Sequence, residues 1–302
     1  MTTNTYDRRR EDVGNIVAFE HVNVTVPDLT VATWFYVNAL GFTRDPYVDL
    51  GPDLIWINLG RQQFHLPVGD PQLVRGTMEL VVPSLATLQT RLDSMADHLA
   101  GTEFGFEAGA DAVDVTGPWG NRFHCVESLR TDAMQVGMRA VVFPVAAGSA
   151  EGIARFYEQV IGAPATVTDG RCTVAVGPGQ AIHFEETASD VAPYDGHHLA
   201  VYVSDFSTPH RWLVERDLIM EETDQHQYRF KWIVDPDSGG QLFEIEHEVR
   251  SLGHRLYQRP LINRNPDQNL RNYVPGRDPF QPRTHTDDDS HAAVQEILTT
   301  AG

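Results

Sequence analysis

The chain of 302 residues has only two cysteines, Cys125 and Cys172. That is too few for a disulfide framework and fits a reducing cytosol. Positive charge is also scarce: 23 Lys and Arg stand against 42 Asp and Glu, for a formal net charge of -19. Nucleic acid and anionic membrane surfaces are therefore disfavoured as partners. No apolar run approaches the roughly 20 residues that a membrane-spanning helix needs. Residues 1–12 carry charges without an apolar centre, so they read as a disordered leader and not as a secretory signal. These absences predict a cytoplasmic protein, with self-association into a homo-oligomer left open.

What the sequence does contain is repetition. Phe35-Tyr36 followed by Leu40-Gly41-Phe42 recurs as Phe156-Tyr157 followed by Ile161-Gly162-Ala163, so a helix ends on glycine in the same way at both places. Four modules follow from this recurrence, at about 16–69, 76–128, 138–189 and 196–248. In the fourth, residues 196–205 alternate β-branched and aromatic side chains as a half-buried strand does. Ser207-Thr208-Pro209 then starts a helix, with Trp212, Leu213 and Leu218 as its buried stripe. Strands over 228–234 and 241–248 flank the turn Asp235-Pro236-Asp237-Ser238-Gly239-Gly240. In the second module, Ser84 reads as an N-cap and Leu85, Leu88, Leu92, Met95 and Leu99 recur at helical spacing.

The order strand, helix, strands resembles the βαβββ module of the vicinal oxygen chelate superfamily, which holds glyoxalases, extradiol dioxygenases and bleomycin-resistance proteins. The fold class implied is α+β, with paired modules forming two open, cup-like mixed sheets and helices outside. The expected organisation is a leader over 1–15, a first glyoxalase-like domain over 16–128, a linker over 129–137, a second such domain over 138–250 and a C-terminal extension over 251–302. Two modules would pair within each domain. The extension is expected to lie as extended chain over the second domain. Asp287-Asp288-Asp289-Ser290 could cap a short final helix through Leu298.

The resemblance also implies where a metal would be held, namely by side chains from the first and last strands of paired modules. A first-strand ligand stands seven residues before an acidic residue, as His21 does before Asp28 and His198 before Asp205. A last-strand ligand follows a turn glycine, usually by four residues. His124, His183 and Glu244 stand so after Gly120, Gly179 and Gly240, and His65 follows Gly60 with one extra residue. Thr77 in the second module and Ala140 in the third supply no ligand. Two candidate sites result: His183, His198 and Glu244 in the second domain, and His21, His65 and His124 in the first. Because strand side chains alternate, Glu246 and Glu248 share the face of Glu244.

Two imidazoles and a carboxylate with open positions form the arrangement of non-haem Fe(II) oxygenases, so the second-domain set favours Fe(II) over Zn, Mn or Ni. The reaction expected is oxygenation of a phenolic or enediol-like small molecule by an extradiol-dioxygenase-like enzyme. A glyoxalase-like isomerase or lyase and a metal-free binding protein are the alternatives. Tyr202, His226 and Tyr228 are the candidates for acid-base groups reaching the cavity.

Overall fold

The computed structural model describes residues 12–46, 52–128, 134–224, 226–259 and 261. Residues 1–11 of the expected leader, 129–133 of the expected linker (129–137) and the expected final helix after Asp287 lie outside the described residues. The first module is β1 (Ile16–Asn23), α1 (Leu29–Ala32) running on in π form through Thr33–Ala39, β2 (Thr43–Arg44), β3 (Leu54–Leu59) and β4 (Gln62–Pro67). The second is β5 (Thr77–Val82), α2 (Leu85–Met95), β6 (Gly105–Ala108), β7 (Ala112–Thr116) and β8 (Arg122–Glu127). The third is β9 (Gly137–Ala146), α3 (Ala150–Arg155) continuing in π form through Phe156–Ile161, β10 (Ala165–Thr168), β11 (Arg171–Gly177) and β12 (Gln180–Thr187). The fourth is β13 (His198–Val203), α4 (Ser207–Val214), β14 (Ile219–Thr223), β15 (Gln227–Val234) and β16 (Gln241–Ser251). Each module is thus βαβββ, as the sequence pattern predicts.

Local chemistry explains why the modules repeat. Asp28 accepts backbone N–H bonds from Thr30 and Val31 at the start of α1, and Asp205 accepts one from Thr208 in the first turn of α4. The seven-residue offset from histidine to acid therefore measures the run from a strand position to the cap of the next helix. At the other end of the helices, Gly41 (φ 80°) and Gly162 (φ 79°) take the left-handed conformation that ends the π turns of the first and third modules. In α2 the side chain of Ser84 caps the Thr87 N–H, and Leu85, Leu88, Leu92 and Met95 face inward.

The pairing of modules differs from the sequence-based expectation. One eight-stranded sheet runs β14-β15-β16-β13-β1-β4-β3-β2, and the other β10-β11-β12-β9-β5-β8-β7-β6. The first module therefore shares its cup with the fourth, and the second with the third. In each module the first strand lies at the module's edge, where only its sister bond to the last strand is internal. That edge is closed by the first strand of another module: β1 runs antiparallel to β13, and β5 to β9. Nothing in the strand pattern selects which of the other modules fills the edge.

Consecutive modules meet instead on the convex sides. Tyr36 from the π turn after α1 lies tilted 5.0 Å from Phe64 and edge-on 6.1 Å from Phe123, joining β4 of the first sheet to β8 of the second. The π turn after α3 does the same: Phe156 lies 5.8 Å from Phe230, and Tyr157 lies 5.7 Å from Phe184. The Tyr157 hydroxyl donates to His247 Nε2 at 2.7 Å, which is possible because the His247 Nδ1–H donates to the Ile245 carbonyl at 2.9 Å. Among the described residues no helix is long and apolar enough to cross a membrane.

Two expected outcomes follow from this packing. A Cβ built on Gly76 would lie 1.9 Å from the carbonyl oxygen of Val142, across the junction of the second and third modules, whereas one on Gly105 meets nothing within 4 Å. Gly76→Ala should lower unfolding free energy by ~1–3 kcal/mol or more through forced overpacking, while Gly105→Ala should stay within ~0.5 kcal/mol of the parent. Urea titration of both variants measures the difference, and equal stabilities would contradict the close approach. The second outcome concerns pH. Burial lowers His247 from 6.5 to about 4 against the opposing pull of the Ile245 carbonyl, so the unfolded chain binds this proton more readily than the folded one. Stability from this group is therefore intact above pH 6.5 and falls as pH drops from there towards 4, by roughly 1.4 kcal/mol per pH unit. His247→Gln should lower stability at pH 8 yet flatten the decline between pH 6.5 and 4 by about one proton. Parallel curves for variant and parent would refute the assignment.

Candidate metal-binding site in the first cup

The seam between β1 and β13 carries the site. Asn23 pairs with His198 and His21 with Ala200 across the antiparallel junction. On the flanks, the parallel neighbours set His21 beside Gln63, Asn23 beside His65, His198 beside Glu246 and Ala200 beside Glu248. Side chains alternate along a strand, so His21, His65, His198, Glu246 and Glu248 all point into the cup, while Phe64, Val22, Leu199 and His247 point to the aromatic core behind it.

Within the cup, one donor atom from each of His21, His198 and Glu248 lies within 4.8 Å of the others. The Nε2 atoms of the two histidines stand 3.5 Å apart, and His198 Nε2 is 3.5 Å from a Glu248 oxygen. His65 stacks on His21 with ring centroids 3.6 Å apart, and Trp56 stacks on His65 at 3.8 Å. Its Nε2 turns to Gln63 Oε1 at 3.2 Å, so His65 supports the ring of His21 from the side and does not join the converging set. A cavity of about 220 Å³ opens in front, lined among others by Asn23, Trp56, His65, His198, Gln227 and Glu248.

Charged groups surround these donors. Arg229 reaches both Glu246 and Glu248, and Arg250 reaches both Glu248 and Glu20. Burial pushes His21 and His65 well below the ordinary imidazole range; at His21 the Arg250 guanidinium adds to this, and at His65 the His21 ring does. Both rings therefore stay neutral, the form in which imidazole binds a metal. Burial alone would raise Glu248, but Arg250, the hydrogen bond from His198 and the other nearby cations outweigh it and hold the carboxyl well below its usual range.

The segment after β16 packs beside this cup. Tyr257 lies 4.9 Å from Tyr202, the Tyr202 hydroxyl is 3.3 Å from His254 Nδ1, and Arg259 pairs with Asp45 at 2.5 Å with both side chains buried. Its guanidinium also sits 5.8 Å from the Trp56 ring. The sequence suggests extended chain over the second domain; residues 252–258 instead form turns and bends, and the segment touches both the fourth module, at Tyr202, and the first, at Asp45 and Trp56.

The sequence-derived ligand sets are each divided between the two sheets. His21, His65, His198 and Glu244 belong to the first, whereas His124 on β8 and His183 on β12 belong to the second. His124 is 36% exposed and bonded to Asp114 at 2.7 Å. His183 Nδ1 is 3.0 Å from the Thr173 hydroxyl. Glu244 sits nearer the turn, paired with Lys231 at 2.8 Å. Glu248, four residues further along, is the carboxylate that reaches the two histidines. Among the acid-base candidates, only Tyr202 faces the cup. Tyr228 is fully buried on the opposite face with its ring 4.9 Å from Phe206, and His226 is an exposed turn residue at φ 64°.

No protein-family model matches the chain, and no curated protein does. Solved structures do. Glyoxalase I from Zea mays aligns with a TM-score of 0.55 at 14% identity, over 81% of this chain and 95% of that one. A candidate dioxygenase from Bacillus subtilis subsp. subtilis aligns with a TM-score of 0.53 at 14% identity, over 84% and 89%. The chain therefore shares the fold of these two structures. Four modules paired two by two make two cups, and here they differ: among the described residues, the only grouping of three metal-ligating side chains lies in the cup of the first and fourth modules.

Proposed function

We propose that this chain is a metal-dependent enzyme of the vicinal oxygen chelate type, with His21, His198 and Glu248 as ligands, and that it oxygenates a phenolic or enediol-like small molecule. The convergence of these three donors within 4.8 Å carries the reading. The donor set fits a divalent cation on two further grounds. A carboxylate offers about four acceptor directions, so the two guanidiniums on Glu248 leave room for a metal bond. The cluster also holds three carboxylates, Glu20, Glu246 and Glu248, against the two cations Arg229 and Arg250, a deficit of positive charge that a divalent ion would more than fill.

Two imidazoles and one carboxylate match the non-haem Fe(II) type, with up to three positions left open. When bound there, the ion would hold two adjacent substrate oxygens as a Lewis acid and leave a position for dioxygen. The remaining work falls to the chain. His65 and Trp56 offer a stacked flat wall for an unsaturated substrate. Gln227 and Asn23 line the cavity as hydrogen-bonding groups. Tyr202, whose hydroxyl is held by burial and then by Glu20 above the ordinary phenol range, stays protonated and serves to fix its neighbours. A second reading, an isomerase or lyase of the glyoxalase kind, is favoured by Glu246, whose carboxylate lies 3.7 Å from His198 and could move a substrate proton.

Elemental analysis and titration should find one divalent ion per chain. His21→Ala, His198→Ala and Glu248→Ala should each weaken its binding by at least ~10-fold, whereas His124→Ala, His183→Ala and Glu244→Ala should leave it unchanged. Metal loss on removing His183 or Glu244 would move the site elsewhere. For the reaction, anaerobic Fe(II) loading followed by air and a panel of catechols and related enols should give dioxygen uptake. If uptake is absent across the panel while Zn or Ni supports turnover under nitrogen, the isomerase or lyase reading replaces the oxygenase one.

A further inference from the structure

The β1–β13 junction slips register between Phe19 and His21: Phe19 faces Val201 while His21 faces Ala200. Glu20 is the extra residue of this bulge. In a regular strand, neighbours point to opposite faces, yet here the bulge turns Glu20 to the same side as His21, which is how bulges near active sites re-aim a side chain. The result is a contact that adjacent strand residues do not ordinarily make: His21 Nδ1 lies 2.8 Å from Glu20 Oε2, with the imidazole fully buried.

We propose that Glu20 is a positioning residue that accepts the Nδ1–H of His21, fixes that tautomer and orients the ring so that Nε2 is presented as a lone pair to the bound metal. The inference rests on the metal reading above. Its physical basis is general: a ligating imidazole whose other nitrogen donates to a carboxylate is held in one tautomer and one orientation. Glu20 is itself held from two sides. Arg250 donates to Oε2, and the Tyr202 hydroxyl donates to Oε1 at 3.2 Å. His254, on the segment after β16, touches the same hydroxyl at 3.3 Å. His198 has a looser counterpart, its Nδ1 standing 3.7 Å from Glu246, so the close carboxylate contact is specific to the bulged strand.

Long-range proton–nitrogen correlation spectra of the metal-free, full-length protein read the tautomer of His21 directly, with His21→Gln used to assign its signals. The parent should show His21 protonated at Nδ1. Glu20→Gln, whose side-chain oxygen can still accept, should keep that tautomer. Glu20→Ala should shift His21 towards Nε2–H and weaken Zn binding by ~10–100-fold. Because the parent and Glu20→Gln spectra suffice, a failure of Glu20→Ala to fold does not remove the test. A parent that binds Zn with His21 protonated at Nε2, or a folded Glu20→Ala with unchanged tautomer, overturns the positioning role alone. A parent that takes up no Zn, Fe(II), Mn or Ni overturns the metal reading and this inference with it.

Discussion

The antiparallel seam of β1 with β13 is the constraint on which the site depends. Each module leaves its first strand with an unpaired edge, and an exposed strand edge must be covered or paired. Pairing β1 with β13 sets His21 and His198 on facing strands two residues out of register, and it draws the last strands β4 and β16 to either side. Without that junction the two histidines, 177 residues apart in the chain, have no reason to meet. The bulge at Glu20 is a local property of the same seam, so ligand geometry and its support have one structural origin.

The modules and their approximate limits were legible because they rest on local chemistry. Alternation, helical spacing at Leu85 to Met95, caps at Asp28, Ser84 and Asp205, and glycine ends at Gly41 and Gly162 are all written within a few residues of one another. The first-strand histidines were legible for the same reason, since the interval from His21 to Asp28 and from His198 to Asp205 counts a fixed run from strand to helix cap. Which modules share a cup was not legible. The edge of β1 is as suitable for β5 or β9 as for β13, and the choice is made by packing across the whole molecule, through contacts such as Tyr36 with Phe123 and Tyr157 with His247.

Counting from the turn glycine reaches Glu244 and not Glu248, the carboxylate that converges with the two histidines, for a related reason. Counting from Gly240 assumes that the turn and the strand after it keep an even register, but the β15–β16 pairing slips between Phe230 and Trp232 and again between Ile233 and Val234. The strand also runs eleven residues, to Ser251, so four glutamate and arginine positions on one face compete for the cup. What decides among them is the parallel partner strand: Glu248 lies beside Ala200, whose small side chain leaves room, whereas Glu244 lies opposite Trp232 and is engaged by Lys231. The face was readable, and the position along it depended on a neighbour that the chain supplies from elsewhere.

The two cups are built on one template, yet only one concentrates buried charge. In the second, the seam strands bring Thr77 opposite Val142 and Glu79 opposite Ala140, so no imidazole comes from the centre, and the histidines on the outer strands are half-exposed and already partnered. In the first, Glu20, Glu248 and Arg250 are withdrawn from water together, with Arg229 and Glu246 beside them. Removing several charges from water costs several kcal/mol per ion before pairing offsets it, and an apolar filling of the same volume is often as stable. Such an arrangement is poorly explained as a stabilising device, because the second cup holds the same fold without it. The cost becomes intelligible if the network exists to fix donors at one point, since paired charges that hold one another in place keep a small set of ligands converging.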